Sequence, residues 1–259
     1  MAVSAIRERL TAKSSAVLLQ LQTRLDRILW GWLLLAALAC AARVALTSLK
    51  TPLGVEVVFP YFLLVFAPAM SLILALRWFR NGDQLPQPGT RLAVLGRWRS
   101  VDRAEAQRHP LYGANGIMVS LLIGMLLNVP VRALEYLAAM PAISGSIPPW
   151  LATLHMLMTL DVVVFTSLYT IAFVAALRRV PLFPRLLGAI WLADIGMQIL
   201  TADLVAATPG LPANVAGALH SLLDGNVKKV LISVALWLPY LLLSERVNVT
   251  YRSRVARTP

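Results

Sequence analysis

Two aspartates stand in the middle of long apolar runs: Asp161 in LHMLMTLDVVVFTSLYTIAF and Asp194 in FPRLLGAIWLADIGMQIL. An ionised carboxylate at the centre of a bilayer costs several kcal/mol unless it is paired, neutralised or wetted, so intramembrane acids mark ion pathways, proton relays or buried ion pairs. The chemistry open to these two is therefore proton or cation binding, lipid-headgroup binding, or a structural pairing that fixes helix register. Asp194, Gln198 and Thr201 recur at i, i+4 and i+7, one polar stripe on a helix. Lys229, Ser233, Tyr240 and Ser244 make a second stripe further on. Asp161 has Leu157, Met158, Val164 and Phe165 for helical neighbours, so its partner must come from another helix.

Composition sets the elements that carry these residues. The chain has 259 residues, 58% hydrophobic and 14% charged, too apolar for an ordinary soluble domain. Several apolar stretches reach the roughly 20 residues that cross a hydrocarbon core. The fold class expected is all-α, a polytopic membrane bundle with six spans near residues 29–49, 55–76, 111–132, 151–177, 182–206 and 227–244. Strand alternation of the outer-membrane-barrel kind is absent. Of the 24 Lys and Arg, all but Arg43, Lys50, Arg132, Lys228 and Lys229 fall in the N-terminal segment, the second and fourth connections and the tail. The positive-inside rule then predicts cytoplasmic termini in a bacterial inner membrane. The net charge of +12 suits loops facing the anionic inner leaflet rather than nucleic acid.

The organisation read from the chain is an amphipathic interfacial helix over 1–28, a two-helix leader over 29–76, a basic cytoplasmic loop over 77–110, a four-helix membrane domain over 111–252 and a tail over 253–259. Ile6, Leu10, Val17, Leu21, Leu25 and Ile28 share the apolar face of the first helix, and Trp30 and Trp32 follow at headgroup level. The long loop, with a turn at 86–89, is read as lipid contact, with a docking site for a cytoplasmic partner as the alternative. No internal repeat divides the spans, so an inverted-repeat transporter is not supported.

Measured along each helix, Asp161 lies about 24 Å from Leu177, Asp194 about 19 Å from Pro181, Lys229 about 22 Å from Ser244 and Arg43 about 21 Å from Leu29. The expectation is a four-charge layer in which Lys229 pairs with Asp194, and Arg43 or Lys229 pairs with Asp161. Arg132 and Glu135, three apart near the outer interface, are expected to pair locally. Lys228 shares a face with Ile232 and Ala235 and is expected to snorkel outward.

Other chemistry is poorly represented. His109, His155 and His220 lack metal-ligand spacing, and no metal or cofactor is expected. The single cysteine, Cys40, excludes an internal disulfide and a thiolate cluster and reads as a small core residue. HExxH, GxSxG, phosphate-loop and dinucleotide motifs are absent. Asn248-Val-Thr250 matches a glycosylation acceptor, but falls on the side expected to be cytoplasmic.

Three pieces of the last four spans carry a family likeness: GANGIMVSLLIGMLLNVPVR with Pro130 and Arg132, the basic RRVPLFPRLL over 178–187, and WLPYLLLSERVNVTY with Trp237, Pro239, Tyr240, Ser244 and Arg246. Over about 112–252 the chain resembles the bacterial inner-membrane family called domain of unknown function 2569. The resemblance implies a four-span architecture and no mechanism. Physically, Pro239 removes one backbone hydrogen bond and leaves the Ala235 carbonyl without its helical donor, so a bent helix with an aromatic anchor is the plainer reading and a gate the alternative. The functional expectation is a non-enzymatic accessory or scaffold protein, with a membrane-protein partner or a second copy left open. The alternative is a small proton- or cation-coupled transporter using Asp161 and Asp194 with Lys229. A lipid-modifying enzyme is a third reading, for which no nucleophile or metal set converges.

Overall fold

The computed structural model describes residues 2–47, 54–90, 96–143 and 145–257, with side chains from residue 12 onward. Lys50 and Arg91, counted in the charge asymmetry, and the side chains of Ile6, Arg7, Arg9 and Leu10 lie outside the described residues.

Nine α-helices run through the described residues: α1 (Ala2–Thr23), α2 (Leu25–Ala45), α3 (Val55–Trp78), α4 (Arg103–Arg108), α5 (Ile117–Ala139), α6 (Pro149–Leu177), α7 (Phe183–Ala206), α8 (Ala213–Leu243) and α9 (Glu245–Arg252). Six of them, α2, α3, α5, α6, α7 and α8, are long and apolar enough to cross a membrane. The expected six-span, all-α class is thus what the chain forms. The only strands among the described residues, β1 (Trp98–Ser100) and β2 (Arg254–Ala256), make one antiparallel ribbon with Arg99 opposite Val255.

Span α6 is the central helix: 67% of its apolar window is buried, against 11% for α2 and for α8. Helices α3, α5 and α7 pack around it, α2 lies on α3, and α8 lies on α7. The outer faces of α2, α3 and α8 present Leu34, Leu35, Phe59, Phe62, Ile232 and Leu236 outward, apolar surface that suits lipid rather than water. Inside, the buried side chains form two apolar blocks. One is built on Met118, Leu122, Phe173, Phe183 and Leu187, the other on Val57, Leu64, Tyr136, Leu157 and Val162. Asp161 lies at the junction of these blocks, between Met158 and Val162 of the second and Phe165 of the first.

Several boundaries differ from the sequence reading. The third span starts at Ile117, not 111, because Gly113 and Gly116 adopt positive φ (107° and 67°), which holds the preceding LYGANG out of the helix. It then runs to Ala139, so Pro130 and Arg132 lie inside it rather than at its end. The last span begins at Ala213 instead of 227, since Asp224, Asn226, Lys228 and Lys229 all sit on helix α8. That helix passes through Pro239, and Trp237 and Tyr240 meet edge to face at 6.0 Å. The first span begins at Leu25 rather than 29, and Trp32 donates its indole N–H to the Val65 carbonyl of α3 at 2.8 Å. The apolar face of α1 packs on the bundle through Leu18 and Leu21, and Ser14 accepts the Gly116 N–H at 3.2 Å.

One end of the bundle is closed by a clasp. After Ser244 the chain turns into α9 and buries Val247, Asn248, Val249, Thr250 and Tyr251. Tyr251 donates to the Ala176 carbonyl at 2.8 Å, and its ring meets Phe183 at 5.1 Å between centroids. Burial pushes the Tyr251 phenol well above the ordinary tyrosine range. Thr250 accepts the Gly113 N–H at 3.0 Å, and Arg246 donates to the Leu111 and Gly113 carbonyls at 3.2 and 3.3 Å. Asn248, the expected chance glycosylation match, is fully buried and donates to the Ser244 carbonyl at 3.0 Å. The basic loop is held down at the same end: Arg179 faces Asp83 at 3.6 Å, Arg103 donates to the Leu85 carbonyl at 2.9 Å, and β1 pairs with β2.

Candidate functional site: a charged triad beside a membrane chamber

Arg132 sits 15 residues into α5, about 22 Å from its start at Ile117. Asp161 lies about 24 Å from the Leu177 end of α6, and Asp194 about 17 Å from the Phe183 end of α7. The three converge. Arg132 Nη1 is 2.8 Å from Asp161 Oδ2, and Arg132 Nη2 is 2.6 Å from Asp194 Oδ2. One planar guanidinium thus spends its fork on two carboxylates from two different helices, a geometry that lysine cannot copy. Phe165 and Tyr169 lie 5.0 and 6.0 Å from the guanidinium carbon and flank it with ring faces.

The remaining carboxylate atoms are also engaged. Gln198 Nε2 donates to Asp161 Oδ1 at 2.8 Å and to Asp194 Oδ1 at 3.4 Å, and Tyr169 donates to Asp194 Oδ2 at 3.2 Å. Asn226 of α8 donates to Gln198 Oε1 at 3.2 Å, and Lys229 donates to Asn226 Oδ1 at 3.3 Å. A continuous polar chain therefore crosses from α5 through α6 and α7 to α8. Asp194 is fully buried, and Asp161 and Gln198 are nearly so.

Beside the triad is a cavity of about 510 Å³, walled by α5, α6 and α8. Arg132 and Asp161 line one side, and Gly225, Asn226 and Lys229 line the other. It exists because α8 packs on α7 and stands off from α5. Across the gap Lys229 Nζ meets Glu135 Oε1 at 2.5 Å, an exposed ionic strap between α8 and α5. A second polar node lies close by, where the Tyr136 hydroxyl is 2.8 Å from Thr159 Oγ1 and 3.4 Å from His155 Nε2.

The expected pairings therefore need correction. Lys229 pairs with Glu135 and not with Asp194. Arg43 pairs with neither aspartate: it donates to the Met140 carbonyl at 3.1 Å, at the end of α5, because α2 starts earlier and carries Arg43 past the depth of the acids. Arg132 is the true partner of both acids, and the expected Arg132–Glu135 pair does not form. The expectation that the partner of Asp161 comes from other helices holds, as does the Asp194–Gln198–Thr201 stripe, all three buried. Lys228 faces outward, paired with Asp224 one turn away at 2.6 Å. Cys40 is a buried core residue. Pro130, Trp237, Pro239 and Tyr240 shape the spans, while Ser244 and Arg246 belong to the clasp.

No family model matches the chain, and neither a curated protein nor a solved structure matches it. Fold and site define a multi-pass α-helical membrane protein with a buried charged layer.

Proposed function

We propose that the protein is a small, non-enzymatic, proton- or cation-coupled carrier of a bacterial inner membrane, with the Asp161–Arg132–Asp194 triad as its ion site. The observation that carries this reading is a charge imbalance next to a chamber. The triad holds two carboxylates and one guanidinium, and the strap adds one of each sign. A surplus negative charge at membrane depth calls for a proton or a cation. The neighbouring chamber offers the route by which one would arrive. Charge placement supports cytoplasmic termini: the connections at the end opposite the clasp, 46–54, 140–148 and 207–212, hold a single basic residue, Lys50.

A second reading, a scaffold whose charged core is structural, is favoured by one observation: Arg132 ties three helices together with every carboxylate oxygen of the triad engaged. Flux separates the two. In proteoliposomes loaded with a pH-sensitive dye, an imposed membrane potential drives proton movement through the native protein on the carrier reading. Asp161→Asn stops it at an unchanged unfolding temperature. Gly225→Leu does the same by filling the chamber, since nothing lies within 4 Å of where its Cβ would stand. If the native protein moves neither protons nor monovalent cations, and both aspartate variants unfold early or vanish from the membrane, the scaffold reading stands instead.

A further inference from the structure

A second cavity, of about 820 Å³, opens between α7 and α8 on the side away from the triad chamber. Its walls are apolar: Trp191, Leu192 and Ile195 from α7, and Leu231, Val234 and Leu238 from α8. Leu192, Leu231 and Leu238 are exposed, so the groove faces the lipid phase sideways. From Pro184 to Ile195 it runs about 16 Å along α7, roughly half of a hydrocarbon core.

Its clasp end is different in character. There Arg185, Arg252 and Arg254 line the groove together with Thr90, Ser100 and Ser253, and no carboxylate is among the described residues lining it. Arg185 stands in the first turn of α7, where the helix dipole disfavours a cation and favours an anion. Its Nη1 donates to Thr90 Oγ1 at 2.9 Å. Arg252 donates to the Leu241 carbonyl at 2.8 Å. Burial first, and then the nearby Arg254 and Arg185, bring the Arg252 guanidinium down from the usual arginine range to about 10. An apolar slot in the hydrocarbon that ends in three guanidinium groups at headgroup level has the two-part chemistry of a phospholipid with net negative charge.

We infer that the α7–α8 groove is a binding site for one anionic phospholipid, its phosphate among Arg185, Arg252 and Arg254 and an acyl chain along the slot. This site is independent of the ion-carrier reading. It also gives the ribbon of β1 and β2 a role, since Ser100 and Arg254 hold one wall of the headgroup end.

The test is a titration of the full chain in neutral detergent, read by native mass spectrometry, with dioleoylphosphatidylglycerol, dioleoylphosphatidylcholine and inorganic phosphate as separate probes. The glycerol lipid should be retained at a concentration at least about tenfold lower than the choline lipid, from about 1 kcal/mol for each arginine near the phosphate. Arg185→Gln should lower that preference about fivefold. Gly188→Leu should weaken retention of the glycerol lipid by blocking the slot, because nothing lies within 4 Å of its Cβ position and the fold is left alone. Equal retention of the two lipids overturns the inference. So does unchanged retention in a Gly188→Leu protein that unfolds at the native temperature, which decides the matter even if Arg185→Gln does not fold. Displacement of the bound lipid by an equal concentration of inorganic phosphate overturns it as well, and assigns the arginines to a free anion.

Discussion

Arg132 Nη2 lies 2.6 Å from Oδ2 of Asp194, a carboxylate with no exposed surface, so the positive partner that α7 needs is delivered by α5 across the width of the bundle. Removing that partner strands two buried acids. Arg132→Gln should destabilise the protein by about 3–5 kcal/mol, the usual cost of leaving a buried charge uncompensated. Adding Asp161→Asn and Asp194→Asn to the same chain should restore most of the loss. Thermal unfolding in a mild detergent measures both, and a single variant as stable as the native protein would contradict the triad.

The strap should behave oppositely. Lys229 and Glu135 are both exposed, so Lys229→Gln should change stability by no more than about 1 kcal/mol. It should instead speed access to the chamber. With Cys40 replaced by Ala and Ser221→Cys as the reporter, a charged water-soluble thiol reagent should label faster once the strap is gone. An unchanged labelling rate would show that the strap does not guard the mouth.

Much of this layout could be read from residue order alone, and the part that could not has a definite cause. Asp194, Gln198 and Thr201 share a phase on one helix, so their common face was visible in three letters. Asp161 lacks polar neighbours in phase, so its need for an interhelical partner was visible too. Arg132 was not recognisable as that partner. Local hydropathy ends a span at a charge, whereas the acids that neutralise Arg132 lie 29 and 62 residues further along. The same cue hides the first half of α8, because Lys228 and Lys229 look like an end in a sequence that does not display their pairing with Asp224 and Glu135. The depth of Arg43 differs for a plainer reason: moving the start of its helix by four residues shifts it by about 6 Å.

The clasp offers a third check. Tyr251→Phe removes only the hydrogen bond to the Ala176 carbonyl and should cost about 1 kcal/mol. Tyr251→Ala also empties a fully buried site against Phe183 and should cost about 3–5 kcal/mol. Chemical or thermal unfolding of the two variants side by side separates the polar contribution from the packing one. Equal effects would mean that the ring contributes nothing.

Orientation is testable without purification. A reporter fused after residue 257 should be active as a cytoplasmic enzyme and silent as a periplasmic one, given the positive-inside charge pattern. Activity only in the periplasm would invert the bundle and with it the leaflet that feeds the α7–α8 groove.

The clasp also imposes an order of events. Residues 245–256 are made after all six spans, yet they hold the entry of α5, the exit of α6 and the basic loop that precedes them. During synthesis those three segments are inserted with their closing contacts still missing. The bundle is therefore latched by a segment that is made after every span it closes. Until it arrives, the Gly113 N–H and the Ala176 carbonyl lack the partners that Thr250 and Tyr251 supply.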